Sequence, residues 1–456
     1  MRSRLRDDGR ARRLTLAFVV YVAATAVYFA CASRQTLTEH TPFNHFALLA
    51  EGWLKGRLDL GGPPPGYAQN NDFAEVGGRW FIVFPPFPAL LLLPLVKLGG
   101  SAVRVQDGQF FLWLAGIAPA VLFLCIEKLR RMGLTGRTTR FSLLLSLLFA
   151  FGTVYFFTAE QGTVWFAAHV VGTAIAALYV LCALDAERPV LAGVLVGVGF
   201  LTRAPMLYAV PLFVFEAFRV SMGGQANDAS VPGERGLVAL ERRLRIAWTT
   251  IDRRRFFSLI LAFGAPLVAV LAIAAWYNRA RFGDAFEFGY RYLTVLWRPR
   301  MEKWGLFSYH YFGKNLGVVL TSLPWIAKAP ADPRFQINAH GLALWVTTPL
   351  YLWLLWPRKW TRVHWALTLT ALAVAVPTLF YQNTGWVQFG YRFSNDYSVF
   401  LFCLFAVGGF RLGPLFYATA VWSIVVNSFG ALSFQRPRFA KYYHQEGSQT
   451  VMYQPD

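Results

Sequence analysis

The sequence predicts an all-α polytopic membrane protein with about 11 transmembrane helices, on three observations. Of its 456 residues 56% are hydrophobic, 17% aromatic and only 15% charged, too apolar for a water-soluble chain of this length. Charge-free runs long enough to cross a bilayer recur along it. Its basic residues stand between those runs instead of mixing into them. A formal charge of +20 would point to nucleic acid in a soluble protein. Set between apolar blocks, it points to membrane lipids and phosphate-bearing headgroups, and nucleic acid is excluded as a partner.

The basic start "MRSRLRDDGRARR" precedes an uncharged run over residues 14–33. That run is longer than a signal-peptide core and lacks a small-residue cleavage pattern, so it reads as a retained first span with its basic end in the cytoplasm. Further spans are expected at 110–126, 141–158, 162–184, 256–277, 341–356, 365–381, 397–410 and 412–432. Arg203 divides the pair 190–202 and 204–218. The preferred reading is two short helices meeting at that arginine, with one long tilted helix as the alternative.

The leucine-rich block at 89–100 decides the sidedness of every later segment. It comes after Pro85, Pro86 and Pro88, is interrupted by Pro94 and Lys97, and at about a dozen residues has the length of an interfacial or re-entrant segment. If it lies outside, loop 127–140 with five Lys or Arg and loop 219–255 with eight face the cytoplasm, as the positive-inside rule asks. The expected organisation is one transmembrane domain over 1–432, with extracytoplasmic loops 34–109 and 278–340, a cytoplasmic loop 220–255 and an extracytoplasmic tail 433–456. Within the cytoplasmic loop, 221–236 reads as a flexible linker. Cys31, Cys125, Cys182 and Cys403 all lie in or beside apolar runs, as small hydrophobes and not as disulfide or metal partners.

The chemistry concentrates in the extracytoplasmic segments. In "FNHFALLAEGWLKGRLDL" the spacing of Phe43, Phe46, Leu49, Ala50, Trp53 and Leu54 predicts an amphipathic helix on the membrane surface. The turn "GGPPPGY" comes next, then Asp72 and Glu75. Glu160 stands in the turn "FTAEQGTVWF", Arg203 at the apex of the split helices, and Arg392, Asn395 and Asp396 in "GWVQFGYRFSNDY". Ionisable groups at span ends are costly to desolvate and are functional candidates by default. A guanidinium grips phosphate in two-pronged fashion and a carboxylate takes a proton from an attacking hydroxyl, so acids and arginines on one face suit an anionic lipid head and a hydroxyl nucleophile. Each residue has a plainer reading. Asp72 is also a turn cap, Glu75 and Glu160 are solvated acids, the arginines snorkel to headgroups, and His169 is a hydrogen-bonded core group.

The first span, the loop with its amphipathic helix, Arg79-Trp80 leading into "PPFPALLLLP", an acid after the third span and the late "QFGYRFS" together resemble the GT-C superfamily of membrane glycosyltransferases. That group includes the protein O-mannosyltransferases and the aminoarabinose transferases of lipid A, and the resemblance covers most of 14–432. It implies a polyprenyl-phosphate-linked sugar as donor, a glycan, lipid or protein as acceptor, and an acid of the first outer loop as catalytic base or metal-site member. Many of the group carry an Asp-Glu pair where this chain has Asn44-His45. The base then falls to Asp72, with Glu75 second. Glu160 matches the acid of the next outer loop, and Arg203 and Arg392 match basic positions that hold the lipid phosphate, joined by Arg79, His169, Asn395 and Asp396. A divalent cation is left open, with His45 as its candidate ligand.

The expectation is therefore an inverting transferase working at the outer face of a plasma membrane, bacterial by its Arg/Ala/Gly-rich composition. A transporter of lipid-linked sugars and a non-catalytic GT-C scaffold are the alternatives. Transporters usually show repeated halves with broken helices, and the chain has its break at Arg203 without a matching half.

Overall fold

The computed structural model describes residues 2–223, 251–295, 297–327 and 332–444. Most of loop 220–255, including nearly all of the 221–236 linker, and residues 445–456 of the tail lie outside the described residues. Among those described, seven helices are long and apolar enough to cross a membrane: Gly9–Cys31, Asp107–Arg131, Val164–Ala186, Ala204–Ser221, Arg253–Phe282, Arg362–Leu379 and Pro414–Ser433. Three shorter apolar helices, Phe87–Gly99, Thr139–Phe151 and Pro189–Phe200, and the buried helix Asn395–Val407 complete a helical membrane protein. Val164–Ala186 is the central element, largely buried, whereas Arg253–Phe282 is largely exposed at the periphery.

Three expectations change. The run 141–158 is broken at Gly152 into Thr139–Phe151 and a short turn Tyr155–Ala159. The run 341–356 yields only Leu344–Thr347 and a 3-10 stretch Pro349–Leu355. Pro349 disfavours helical geometry at the residue before it, and Thr348 accordingly sits at φ −139, ψ 70. The fold is also not purely helical. Phe73–Val76 and Arg79–Ile82 form an antiparallel hairpin with Val76 opposite Arg79 across a two-residue Gly77-Gly78 turn, both glycines at positive φ as such tight turns require. Trp325–Ile326, Phe335–Asn338 and Tyr443–His444 make a second small sheet in that order.

The split at Arg203 is real: Pro189–Phe200 and the 3-10 turn Ala204–Ala209 are separated by extended backbone at φ −141, ψ 109. The leucine-rich block is the helix Phe87–Gly99 of 13 residues, about 20 Å long against a hydrocarbon core of about 30 Å. Its Leu92 and Val96 pack with Phe46, Leu49 and Ala50 of the amphipathic helix His45–Leu54 and with Ala167 and Ala168 of the central helix. Both flanks of the block return to one end of the bundle. Phe87 N donates to Leu201 O at 2.9 Å, Ala102 N to Glu51 Oε2 at 2.9 Å, and Thr41 binds Asp107 through backbone and hydroxyl at 2.7 Å. The opposite end is laced by other pairs, Lys128 with Glu187 and Arg219 with Asp185 and Glu216.

Small residues let the peripheral helix dock. A Cβ on Gly193 would lie 2.0 Å from the Phe263 carbonyl oxygen, and one on Gly197 2.7 Å from Val270; close backbone approach is how helices associate where no water is available to drive them together. Gly193→Val is expected to cost about 3 kcal/mol and lower the melting temperature of purified protein in detergent. Gly264→Val, on the partner helix Arg253–Phe282 but with no atom within 4 Å of its Cβ, is the control expected to leave it nearly unchanged.

Candidate functional site

The first carboxylate is placed by strained backbone. After the 3-10 turn Gly66–Ala68, residues Gln69, Asn70 and Asp72 all adopt left-handed φ of 52, 52 and 61 before the chain enters the hairpin. Such conformations persist only where surroundings fix them. Here His45 does so: its Nε2 lies 2.9 Å from Asn71 O, and its ring stacks on Phe73 at 4.3 Å. Burial pushes the His45 imidazole down to about 4, so it is neutral and donates to that carbonyl. Asp72 Oδ2 accepts from Trp165 Nε1 at 2.7 Å at the start of the central helix. Its carboxyl is raised above the ordinary range by burial, with the Trp165 bond and the Arg392 charge pulling the other way, yet part of Asp72 remains accessible.

The guanidiniums divide into one that is matched and one that is not. Arg203 Nε and Nη2 reach the two oxygens of Asp396 at 2.9 and 2.7 Å, and His169 Nδ1 lies 3.1 Å from Asp396 Oδ1. Gly172 makes room for this arrangement, since a Cβ there would fall 2.7 Å from Arg203 Cγ. Arg392 is buried and, among the described residues, has no carboxylate in ion-pair contact. Its Nη1 makes long bonds to Trp386 O and Val387 O at 3.4 and 3.3 Å, and its Nε is buried without a partner. The group lies 5.2 Å from the Phe166 ring. Burial, and then the Arg203 charge, bring it down to about 9. The loop that holds it is strained as well: Val387, a β-branched residue, stands at φ 57, while Gln388 bridges the His340 and Thr384 carbonyls and accepts from Arg392 N at 3.0 Å.

Two tyrosines complete the site. Tyr290, in a turn after Gly289, lies within electrostatic reach of Asp72, Arg203 and Tyr381, and burial raises its phenol. Tyr381, after the helix Arg362–Leu379, is within reach of Asp72, Arg203 and Arg392. Asp72, Arg203, Tyr290 and Tyr381 all keep part of their surface accessible. The hairpin closes onto the same region, with Ala74 bridged to Leu293 and Ile82 O accepting from Arg281 Nη1 at 2.9 Å.

The candidates read from the sequence therefore separate. Asp72, Arg203, Arg392, His169 and Asp396 are brought together. Asn395 lies beside them as a packing group, its Nδ2 on Thr158 Oγ1 at 3.0 Å. Glu160 is instead held by Arg436 at 2.7 Å and by Gln161, with burial raising it to about 8. Glu75 is exposed, toward the turn end of the hairpin. Arg79 is exposed too, 3.7 Å from Asp59. No grouping of three His, Cys, Asp or Glu able to hold a metal occurs among the described residues; His45 bonds Asn71 O through Nε2, and its Nδ1 is buried without a partner. Trp165, Tyr290 and Tyr381 were not visible in the sequence; nothing marks them among 16 Trp and 19 Tyr.

Breaking a buried ion pair from one side strands the other charge. Asp396→Asn is expected to cost about 3 kcal/mol in thermal unfolding, and Arg203→Met combined with Asp396→Leu to recover most of that.

No family model matches the chain, nor does any curated protein. Among solved structures it is similar to the oligosaccharyltransferase of Archaeoglobus fulgidus in its apo form, at 12% sequence identity and a TM-score of 0.48 over 98% of this chain. The chain spans little more than half of that one, 56%.

Proposed function

We propose that the protein is a membrane glycosyltransferase that moves a sugar from a polyprenyl-phosphate donor to an acceptor hydroxyl at the outer face of the plasma membrane. The observation that carries the reading is the buried Arg392 guanidinium, unmatched by any contacting carboxylate among the described residues, within electrostatic reach of a partly accessible Asp72 whose proton affinity is raised. An unmatched buried cation is a standing demand for an anion. A lipid-linked phosphodiester meets it with one negative charge, its prenyl chain lying among the apolar helices.

In the proposed reaction Asp72 takes the proton from the acceptor hydroxyl. The acceptor oxygen forms a bond to the anomeric carbon as that carbon's bond to the phosphate oxygen breaks. The electron pair leaves on the lipid phosphate, where Arg392 stabilises the growing charge and the free edge of Arg203 assists. A single displacement inverts the anomeric centre. Tyr290 and Tyr381 offer hydroxyls to the sugar. No step is routed through a metal. Asp185, Glu187, Glu216 and their basic partners, at the other end of the bundle, take no part.

Two outcomes are expected with membranes and a radiolabelled polyprenyl-phosphate sugar. Asp72→Asn lowers transfer by at least about 100-fold, and unchanged turnover removes Asp72 from the reaction; retained donor binding with no sugar ever released, even in the unaltered protein, supports the non-catalytic scaffold instead. Trp165→Phe acts through Asp72. The indole donates to the ionised carboxylate and favours it, so its loss raises the Asp72 pKa, and because the base works ionised, the acidic limb of the rate profile moves to higher pH by about one pH unit.

A further inference from the structure

A row of aromatic rings leads away from Tyr381. Residues 306–308 run against 380–382, with Ser308 N donating to Phe380 O at 2.8 Å and Gln382 N to Leu306 O at 3.0 Å. This ladder sets Phe307 opposite Tyr381, ring centroids 5.5 Å apart. Beyond Phe307, the Tyr309 ring meets His310 at 4.2 Å, and His310 stacks on Trp304 at 4.8 Å and 26°. The row is held in place from beneath: Tyr311 is buried, with its hydroxyl on Gly305 O at 2.8 Å, and Ser308 Oγ lies 3.2 Å from His310 Nδ1. Yet Phe307 is 55% and Tyr309 74% exposed. Single exposed aromatics are ordinary, but two fixed ring groups in one short segment, the first against a site residue, offer an interaction surface.

The chemistry around the row selects its occupant. Lys303 Nζ stands 4.3 Å from the Trp304 ring centre, and Arg298 and Glu302 form an ion pair at 2.8 Å on the same short helix Arg298–Trp304. Inserting this row into hydrocarbon would drag those charges out of water. A sugar ring, in contrast, has a C–H face that stacks on an aromatic ring and a rim of hydroxyls that bond to amino, carboxylate, imidazole and phenol groups. Both kinds of partner are present side by side.

We infer that Phe307, Tyr309 and the Trp304–His310 stack are the acceptor subsite, and that the acceptor is a saccharide. The inference rests on the transferase reading and narrows its acceptor class. The acceptor chain lies along the row with its terminal sugar at Tyr381, which puts its reacting hydroxyl beside Asp72.

The test uses purified full-length protein in nanodiscs, a radiolabelled polyprenyl-phosphate sugar and a deproteinised cell-envelope glycan extract. For Phe307→Ser with Tyr309→Ser, the extract concentration giving half-maximal transfer is expected to rise about tenfold, from loss of two stacking contacts. Donor KM and the slow release of sugar to water are expected to be unchanged, and Tyr309→Phe, which keeps the ring, to stay near the unaltered protein. Unaltered half-saturation in the double variant overturns the subsite, as does transfer to protein in place of glycan. A benzophenone side chain introduced at Tyr309 is expected to capture radiolabelled glycan; capture of phospholipid assigns the row to the membrane surface and overturns the inference. Failure of the unaltered protein to consume any donor refutes the transferase reading itself, an outcome separate from all of these.

Discussion

Asp396 is shared by Arg203 and His169, and the rest of the site depends on how that sharing distributes charge. The bond crosses three parts of the chain: the break between Pro189–Phe200 and Ala204–Ala209, the central helix, and the start of Asn395–Val407. Taking a carboxylate and a guanidinium out of water costs several kcal/mol each, which two-pronged geometry offsets. The bonds of Asp396 go to Arg203 and His169, and it makes no ion pair with Arg392, four residues before it. Arg392 therefore remains a buried cation on which Asp72 is the strongest opposite-charge influence, outside ion-pair contact. That imbalance is the basis of the proposed anion binding.

Strain marks both loops of the site. Asp72 and Val387 hold left-handed backbone, and in each case neighbouring polar groups fix it, His45 through the Asn71 carbonyl and Gln388 through a set of backbone bonds. Val387 is the costlier of the two, because a branched Cβ crowds the carbonyl in that region while an aspartate tolerates it. The two loops come from opposite ends of the sequence and converge only because the helices between them are packed. The side chains held there are the acid and the cation on which the proposed chemistry rests, which accords with strain gathering at functional sites.

Legibility in the sequence depended on how local each cause was. Arg203 and Arg392 were visible because a charge at the end of an apolar run is conspicuous, and Asp72 because it comes just after a Gly/Pro turn. Glu75 and Arg79 were as visible, and both are exposed on the hairpin that turns at Gly77-Gly78. Glu160 looked like a second acid of the site, yet its partner Arg436 lies 276 positions along the chain and nothing near Glu160 announces it. Trp165, Tyr290 and Tyr381 carry no charge and sit among many similar rings, so only three-dimensional proximity distinguishes them.

The sequence by itself determined the helical membrane class, the apolar runs and the break at Arg203, because each arises from composition and spacing within about 20 residues. It also determined that the leucine-rich block is short. Tertiary structure alone decided that this block packs on His45–Leu54, that Asp396 is paired with Arg203 and not with Arg392, and that Glu160 is diverted to Arg436. These are choices among chemically equivalent partners, and distance in the folded chain is the physical quantity that separates them.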